Sequence, residues 1–256
     1  MGMSSVIGTE DDSTAKQNIR AQYQLQLSSD FRLNTIFTKD YFSSEYDDSF
    51  PALLDADNHF TSKSQRVVVQ PKWMGESSSF VGRVSWATSS RDFVSSFPVY
   101  FEGDVMDVEG VFSTKFNTQL MGLIGLNHKQ QEAQFSNKVS VDLTDYFLNL
   151  LFETNGFFEA QAGARLSEHS TYGSNWTYHI NPSLYFNFDS VYLRFHASMS
   201  SAFIAPSLYK LFDTYSGNQT LKPETNQSLE FGGSLFFPNG GQFQLVYYSR
   251  DHQNFV

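Results

Sequence analysis

The sequence predicts an all-β fold: an antiparallel up-and-down transmembrane β-barrel, present as an incomplete open sheet of about twelve long strands. Three observations carry this reading. Apolar and polar residues alternate with period two along most of the chain, and successive side chains of a strand point to opposite faces. The alternating segments run to roughly 9–13 residues, whereas the average globular strand has ~5–6 and a tilted membrane strand needs ~9–11. Tight turns also alternate with long connections, as in outer-membrane barrels, where turns on one side are short and loops on the other are long.

In chain order, the first segment, 18–27, sets Ile19, Ala21, Tyr23, Leu25 and Leu27 against Asn18, Arg20, Gln22, Gln24 and Gln26. Weaker alternation predicts strands over 31–42, 63–73, 80–90, 99–113, 118–129, 145–154 and 157–166. Within 143–153, Leu143, Phe147, Leu150 and Leu151 also fit helical spacing, and the strand is preferred. Over 177–188 the apolar set is Tyr178, Ile180, Pro182, Leu184, Phe186 and Phe188; over 191–200 it is Val191, Leu193, Phe195, Ala197 and Met199. Residues 206–215 read as a short helix, with Pro206 near its first turn and Leu208, Leu211 and Phe212 on one face. Two more strands follow, through Leu229–Phe237 and Phe243–Tyr247. Tight turns are expected at 28–30, 155–156, 189 and 238–241, and long loops at 43–62, 130–143, 167–175 and 202–224.

Composition fits an envelope protein and excludes several others. With 26 Phe, 13 Tyr and 3 Trp among 256 residues, and only 17% charged residues, the chain is not intrinsically disordered. A net charge of −10 is the opposite of a nucleic-acid-binding footprint, so no nucleic-acid partner is expected. The absence of cysteine suits an oxidising compartment. No run approaches 18 apolar residues, which excludes a membrane helix but not a barrel. Aromatic residues near strand ends, such as Tyr41/Phe42, Trp73, Tyr100/Phe101, Tyr146/Phe147 and Trp176/Tyr178, suit the two membrane interfaces. Residues 1–16 hold no export signal, so the chain is read as a piece whose signal lies upstream.

Residues 201–232, SAFIAPSLYKLFDTYSGNQTLKPETNQSLEFG, resemble the barrel signature of TonB-dependent outer-membrane receptors. The matching positions are Phe203, Ala205, Pro206, Leu208, Tyr209, Leu211, Phe212, Gly217, Asn218, Leu221, Pro223, Glu224, Glu230 and Gly232. Upstream, Arg165, His169, Ser170, Gly173, Thr177, Asn181 and Pro182 are similar to the cobalamin-receptor branch. The resemblance implies a barrel of about 22 strands in the bacterial outer membrane with a plugged lumen. It also implies capture of a scarce nutrient at outer loops, with TonB acting through the plug. Residues 1–256 then form one partial barrel domain, strands four to fifteen, without the plug or the C-terminal strands. Cobalamin is the leading ligand. A siderophore or glycan receptor, an unplugged structural or adhesive barrel, and a soluble all-β carbohydrate-binding protein remain alternatives.

The candidate sites follow from the loops. Tyr172, Trp176, Phe212 and Tyr215 offer flat apolar contact to a ligand, and Asn218 offers hydrogen bonding. Asp47, Asp48, Asp55 and Asp57 cluster in a stretch without Lys or Arg between Asp40 and Ser62; calcium takes such oxygen ligands, and a solvated acidic loop is the alternative. No other cofactor is expected. His179 and His196 fall on polar strand faces, where lumen hydrogen bonds are expected. No Gly-x-Ser-x-Gly elbow appears and no catalytic residue is assigned, so the chain is not expected to be an enzyme.

Overall fold

The computed structural model describes residues 12–48, 54–135 and 137–254, and the side chains of all of these except Asp48, Leu54 and Asp55. Twelve strands form one antiparallel sheet in strict sequence order, with the first and last strands each paired on one side only. They are β1 (Thr14–Gln26), β2 (Phe31–Asp48), β3 (Leu54–Met74), β4 (Ser78–Val94), β5 (Val99–Lys115) and β6 (Leu120–Gln134). Then come β7 (Lys138–Thr154), β8 (Phe158–His169), β9 (Gly173–Phe188), β10 (Val191–Ile204), β11 (Glu224–Phe236) and β12 (Gln242–Gln253). The sole helix among the described residues, α1 (Leu208–Phe212), lies between β10 and β11.

The two faces of this sheet are chemically opposite. Cross-strand partners such as Arg20↔Thr38, Thr38↔Arg66 and Arg66↔Ala87 carry one polar row from β1 to β4. Ser183↔His196 and Arg194↔Ser234 do the same from β9 to β11. The alternate parity carries Ile19, Trp86, Ile124, Ile180, Phe195 and Phe231, between 48% and 56% exposed. Among the described residues only Val141 and Leu211 are buried apolar side chains, whereas eight buried residues are polar or charged. A soluble core has the reverse bias. The 17163 Å² of accessible surface also exceeds the ~11,000 Å² of a compact soluble protein of this mass. The polar face is the inner, concave one, because residues from β2 through β8 line a single cavity there.

On the inner face, short side chains let long ones lie flat. The Phe147 ring covers Gly125, and Arg165 stacks over that ring at 5.3 Å from its centroid. His196 covers Gly232 in the same manner. A Cβ at either glycine would overlap the ring above it, so these two positions exclude any larger residue without rearrangement.

The expected tight turns are present, and Asp189 (φ 45°), Gly156 (φ 78°) and Gly240 (φ 81°) supply the left-handed backbone there. The strands are longer than the sequence pattern indicates, at 12 to 21 residues. Three expected long loops are largely paired strand: 43–62 holds the end of β2 at Asp48 and the start of β3 at Leu54, and 130–143 and 167–175 are hairpins whose strands end at Gln134/Lys138 and His169/Gly173. The physical reason is visible in the residues. At ~3.3 Å per residue, the 21 residues of β3 span roughly 70 Å, far beyond a hydrocarbon core of ~30 Å. The surplus projects into water, where both faces are polar, so alternation fades while pairing continues. The pairs Gln130↔Asp142 and Glu132↔Ser140 belong to such an extension.

The helix is also shorter than 206–215. Ser207 caps it by accepting the Lys210 N–H at 3.3 Å. Asp213 ends it, its carboxylate accepting the N–H groups of Tyr215 (3.2 Å) and Ser216 (2.9 Å) and the Ser216 hydroxyl (2.8 Å). These bonds, the Ser216 hydroxyl above all, hold the Asp213 carboxyl below its usual pKa. They therefore stabilise the loop above the ordinary carboxylate range, and the contribution is lost as pH falls through the lowered value. Asp213→Ala is expected to raise protease cleavage within 213–220 several-fold at neutral pH, as followed by limited proteolysis.

Candidate functional site

The inner wall is a network of side chains from neighbouring strands. Gln22 donates to Asn34 (2.9 Å), which donates to Gln70 (3.1 Å). Arg83 pairs with Asp107 (2.9 Å) and Glu109 (3.6 Å), and Asn127 donates to Asp107. Farther along, Arg165 lies 3.6 Å from the buried Asp145, which also accepts from Ser167. Ser198 donates to Asn181 (2.7 Å), and His196 Nε2 stands 3.4 Å from Glu230. The expectation of lumen hydrogen bonds is thus met in part: His179 Nε2, His196 Nδ1, Asn149 Oδ1 and Arg194 Nε are buried without a partner.

Charge on the wall is uneven. Arg20, Arg66, Arg83 and Lys129 line one cavity of about 470 Å³ with Asp107. Arg83 and Asp107 neutralise each other. No carboxylate lies within ion-pairing distance of Arg20, Arg66 or Lys129 among the described residues. Arg66 and Lys129 also border a cavity of about 740 Å³ lined by Asp40, Asp104 and Glu132, so the cationic excess is confined to the smaller cavity.

The mouth of this bowl is crossed by the loop that carries α1. Leu211 is buried, and α1 packs toward β7. Tyr209 reaches the far wall, its ring 5.5 Å from that of Phe101. There it joins a run of inward-facing rings: Phe42 to Phe60 at 5.9 Å, Phe60 to Phe93 at 4.6 Å and Phe93 to Phe101 at 6.3 Å. The interface-belt expectation is refined accordingly. Alternation splits each doublet, so Tyr41 and Tyr100 face outward while Phe42 and Phe101 face the lumen.

The residues chosen from sequence disperse. Tyr172 ties two outer segments together, donating its hydroxyl to the Leu221 carbonyl at 3.1 Å and lying 5.0 Å from the His169 ring; burial raises its phenol pKa. Trp176, 69% exposed, shares the outward parity of Tyr178 and Ile180. Phe212 is the last residue of α1, half-buried, and Tyr215 is 83% exposed beyond it. The Asn218 side chain is occupied within its turn by Thr220, whose N–H and hydroxyl donate to it at 2.9 and 2.6 Å. Asp47 is buried and accepts from the Ala56 N–H at 3.4 Å, and Asp57 is exposed on the adjoining strand. The side chains of Asp48 and Asp55 lie outside the described residues, and no cluster of three metal-binding side chains occurs among those described. Sequence reading missed Tyr209, Phe101 and the unpaired cations, because their association depends on strand register.

A sheet whose outer face is apolar, whose inner face is a polar network, and whose strands follow one another up and down is the wall of a transmembrane β-barrel. The chain belongs to the family described as TonB dependent receptor-like, beta-barrel, which matches residues 4–256. It is therefore an outer-membrane protein of the Gram-negative type, with the fold of receptors and transporters rather than enzymes. Its fold is similar to that of the siderophore receptor PirA from Pseudomonas aeruginosa (TM-score 0.79, 14% identity, 93% of this chain and 46% of that one). A mutant of the ferric enterobactin receptor PfeA from the same species, in complex with enterobactin, aligns with TM-score 0.74, 14% identity and coverage of 97% and 44%. A double mutant of the Serratia marcescens hemophore receptor HasR, with its hemophore and heme, gives 0.76, 10%, 94% and 46%. The chain spans less than half the length of these proteins. A search of curated protein sequences found no significant match.

Proposed function

We propose that the chain forms part of a receptor that captures an anionic metal chelate of the siderophore class and admits it through the barrel, driven by TonB acting on a plug. The observation that carries this reading is the unpaired cationic patch of Arg20, Arg66 and Lys129 on the inner wall. Ferric catecholate and hydroxamate-carboxylate chelates are often negatively charged, and a positive, partly enclosed surface concentrates such ligands. The similar folds of a siderophore receptor, of a ferric enterobactin receptor in complex with enterobactin, and of a hemophore receptor in complex with its hemophore and heme support the same choice. Cobalamin, the leading ligand from the sequence, gains no support from them.

The test is uptake of radioactive iron as ferric enterobactin, against uptake of cyanocobalamin, in cells whose own receptors for both are deleted. The expected result is iron uptake that falls at least tenfold in the Arg66→Glu, Lys129→Glu double variant while the barrel still assembles. Binding should also weaken as ionic strength rises. Uptake of cyanocobalamin without the ferric chelate would refute the proposal.

Calcium at the acidic hairpin is a separate part of the proposal. Calorimetric titration of the receptor is expected to show calcium binding that disappears in Asp47→Asn, Asp57→Asn variants; equal heats in parent and variants would leave a solvated loop.

A further inference from the structure

His169, the last residue of β8, is buried at 7% exposure near the loop that crosses the mouth. It borders the cavity of about 740 Å³ together with Ala205, Pro206 and Tyr209 of that loop. We propose that His169 is a proton-operated clasp: the neutral ring holds residues 205–223 across the mouth, and the protonated ring releases them. The inference rests on the barrel fold and goes beyond the question of which ligand the receptor takes.

The hold is a relay of short contacts. His169 Nδ1 accepts the Thr171 N–H at 3.1 Å, which turns the chain toward β9, and Gly173 completes the turn with φ 68°. Between them Tyr172 lies 5.0 Å from the His169 ring and donates its hydroxyl to the Leu221 carbonyl at 3.1 Å. That bond ties the β8–β9 hairpin to a segment 49 residues farther along the chain. An Nδ1 that accepts leaves the ring proton on Nε2, so a second proton must enter at Nδ1. There it would face the Thr171 N–H, two donors with no acceptor between them. The Thr171 bond is then lost, the turn that sets Tyr172 opens, and the tie to Leu221 goes with it.

The surroundings favour the neutral ring. On β7, Leu143 stands opposite His169; Asp145, the next inward position, is engaged by Ser167 and Arg165. Asp142 and Glu168 lie on the outward parity. On β9 the opposite residue is Gly173. Tyr172 stays uncharged, its phenol pKa raised by burial. The loop brings Lys210, Asp213 and Lys222, and the Asp213 carboxylate is bound within the loop itself. Around the cavity stand Asp40, Arg66, Asp104, Lys129 and Glu132, of mixed sign. No carboxylate lies within ion-pairing distance of His169 among the described residues. Burial accordingly holds its pKa below the ordinary imidazole value. The closed state therefore binds fewer protons than the open one. The clasp is at full strength above the ordinary value of ~6.5 and weakens as pH falls below it.

The test uses the whole receptor in liposomes, cleared of any cysteine elsewhere, with a nitroxide on Lys222→Cys beside Leu221. Its spectrum gives the ratio of free to held loop. Between pH 7.5 and pH 5.5 that ratio is expected to rise roughly fivefold to tenfold, tenfold being about the most that one proton gives a unit below an imidazole pKa of ~6.5. Asp213 adds nothing to this step, because its lowered carboxyl stays charged throughout the range. His169→Asn, whose Oδ1 still accepts but does not titrate, is expected to show one ratio at both pH values. Tyr172→Phe, which lacks the hydroxyl, should free the loop at both. Heat-modifiable migration on gels confirms that each variant is folded. The proposal is overturned if the parent ratio does not change with pH, if the step persists in His169→Asn, or if Tyr172→Phe leaves the loop held at pH 7.5.

Discussion

Replacing Phe231 by arginine is expected to cost roughly 2–4 kcal/mol of folding stability in a bilayer, the usual penalty for a cation at mid-depth on the lipid face of a barrel. Phe231 lies near the centre of β11, 49% exposed, and stacks on the ring of Tyr247 across the strand pair at 6.1 Å. Its parity is shared by Leu229 and Leu235 and by its other cross-strand partner Ala197, the outward apolar set that meets lipid. Gln244→Arg, on the inner parity of the next strand, is expected to change stability by only about 0.5 kcal/mol in either direction. Urea titration of the receptor in liposomes measures both. Equal losses at the two positions would deny that the faces differ.

Residues 1–256 expressed alone are expected not to fold into a bilayer at all. The 13 residues of β1 and the 12 of β12 have hydrogen-bonded neighbours on one side only. In hydrocarbon each unpaired backbone group costs several kcal/mol, so two open edges cost on the order of tens of kcal/mol, more than the ~5–15 kcal/mol net stability of a typical native protein. Aggregation through those edges is the expected fate. A monomeric, heat-modifiable band from liposomes containing only these residues would show that the edges find each other and that the small sheet closes.

Legibility in the sequence tracked the solvent on each face. Where one face meets lipid and the other the lumen, as in 177–188 or 191–200, alternation located the strand and its orientation. Where both faces are wet, as in Ser43–Asp48, the pattern vanished and paired backbone was read as loop. The helix was anticipated, but its end depends on three hydrogen bonds to one carboxylate, Asp213, which composition does not reveal. The aromatic run from Phe42 to Tyr209 was invisible for another reason. Contacting members are up to 108 residues apart, as Phe101 and Tyr209 are, and only register and the fold of one loop bring them together. The same holds for Arg20, Arg66 and Lys129, which are neighbours only because the strands from β1 to β6 pair in order.

The central claim is that the outer parity meets lipid and the inner parity does not. The chain has no cysteine; single cysteines placed along β10, in a receptor cleared of any cysteine elsewhere, can carry nitroxide labels. Labels at Leu193, Phe195, Ala197 and Met199 are expected to collide with oxygen, which concentrates in the bilayer. Those at Arg194, His196 and Ser198 should collide instead with a water-soluble nickel chelate, or with neither where the lumen is filled. A period of two in oxygen accessibility, in phase with the apolar residues, supports the account; a flat profile, or one in the opposite phase, contradicts it.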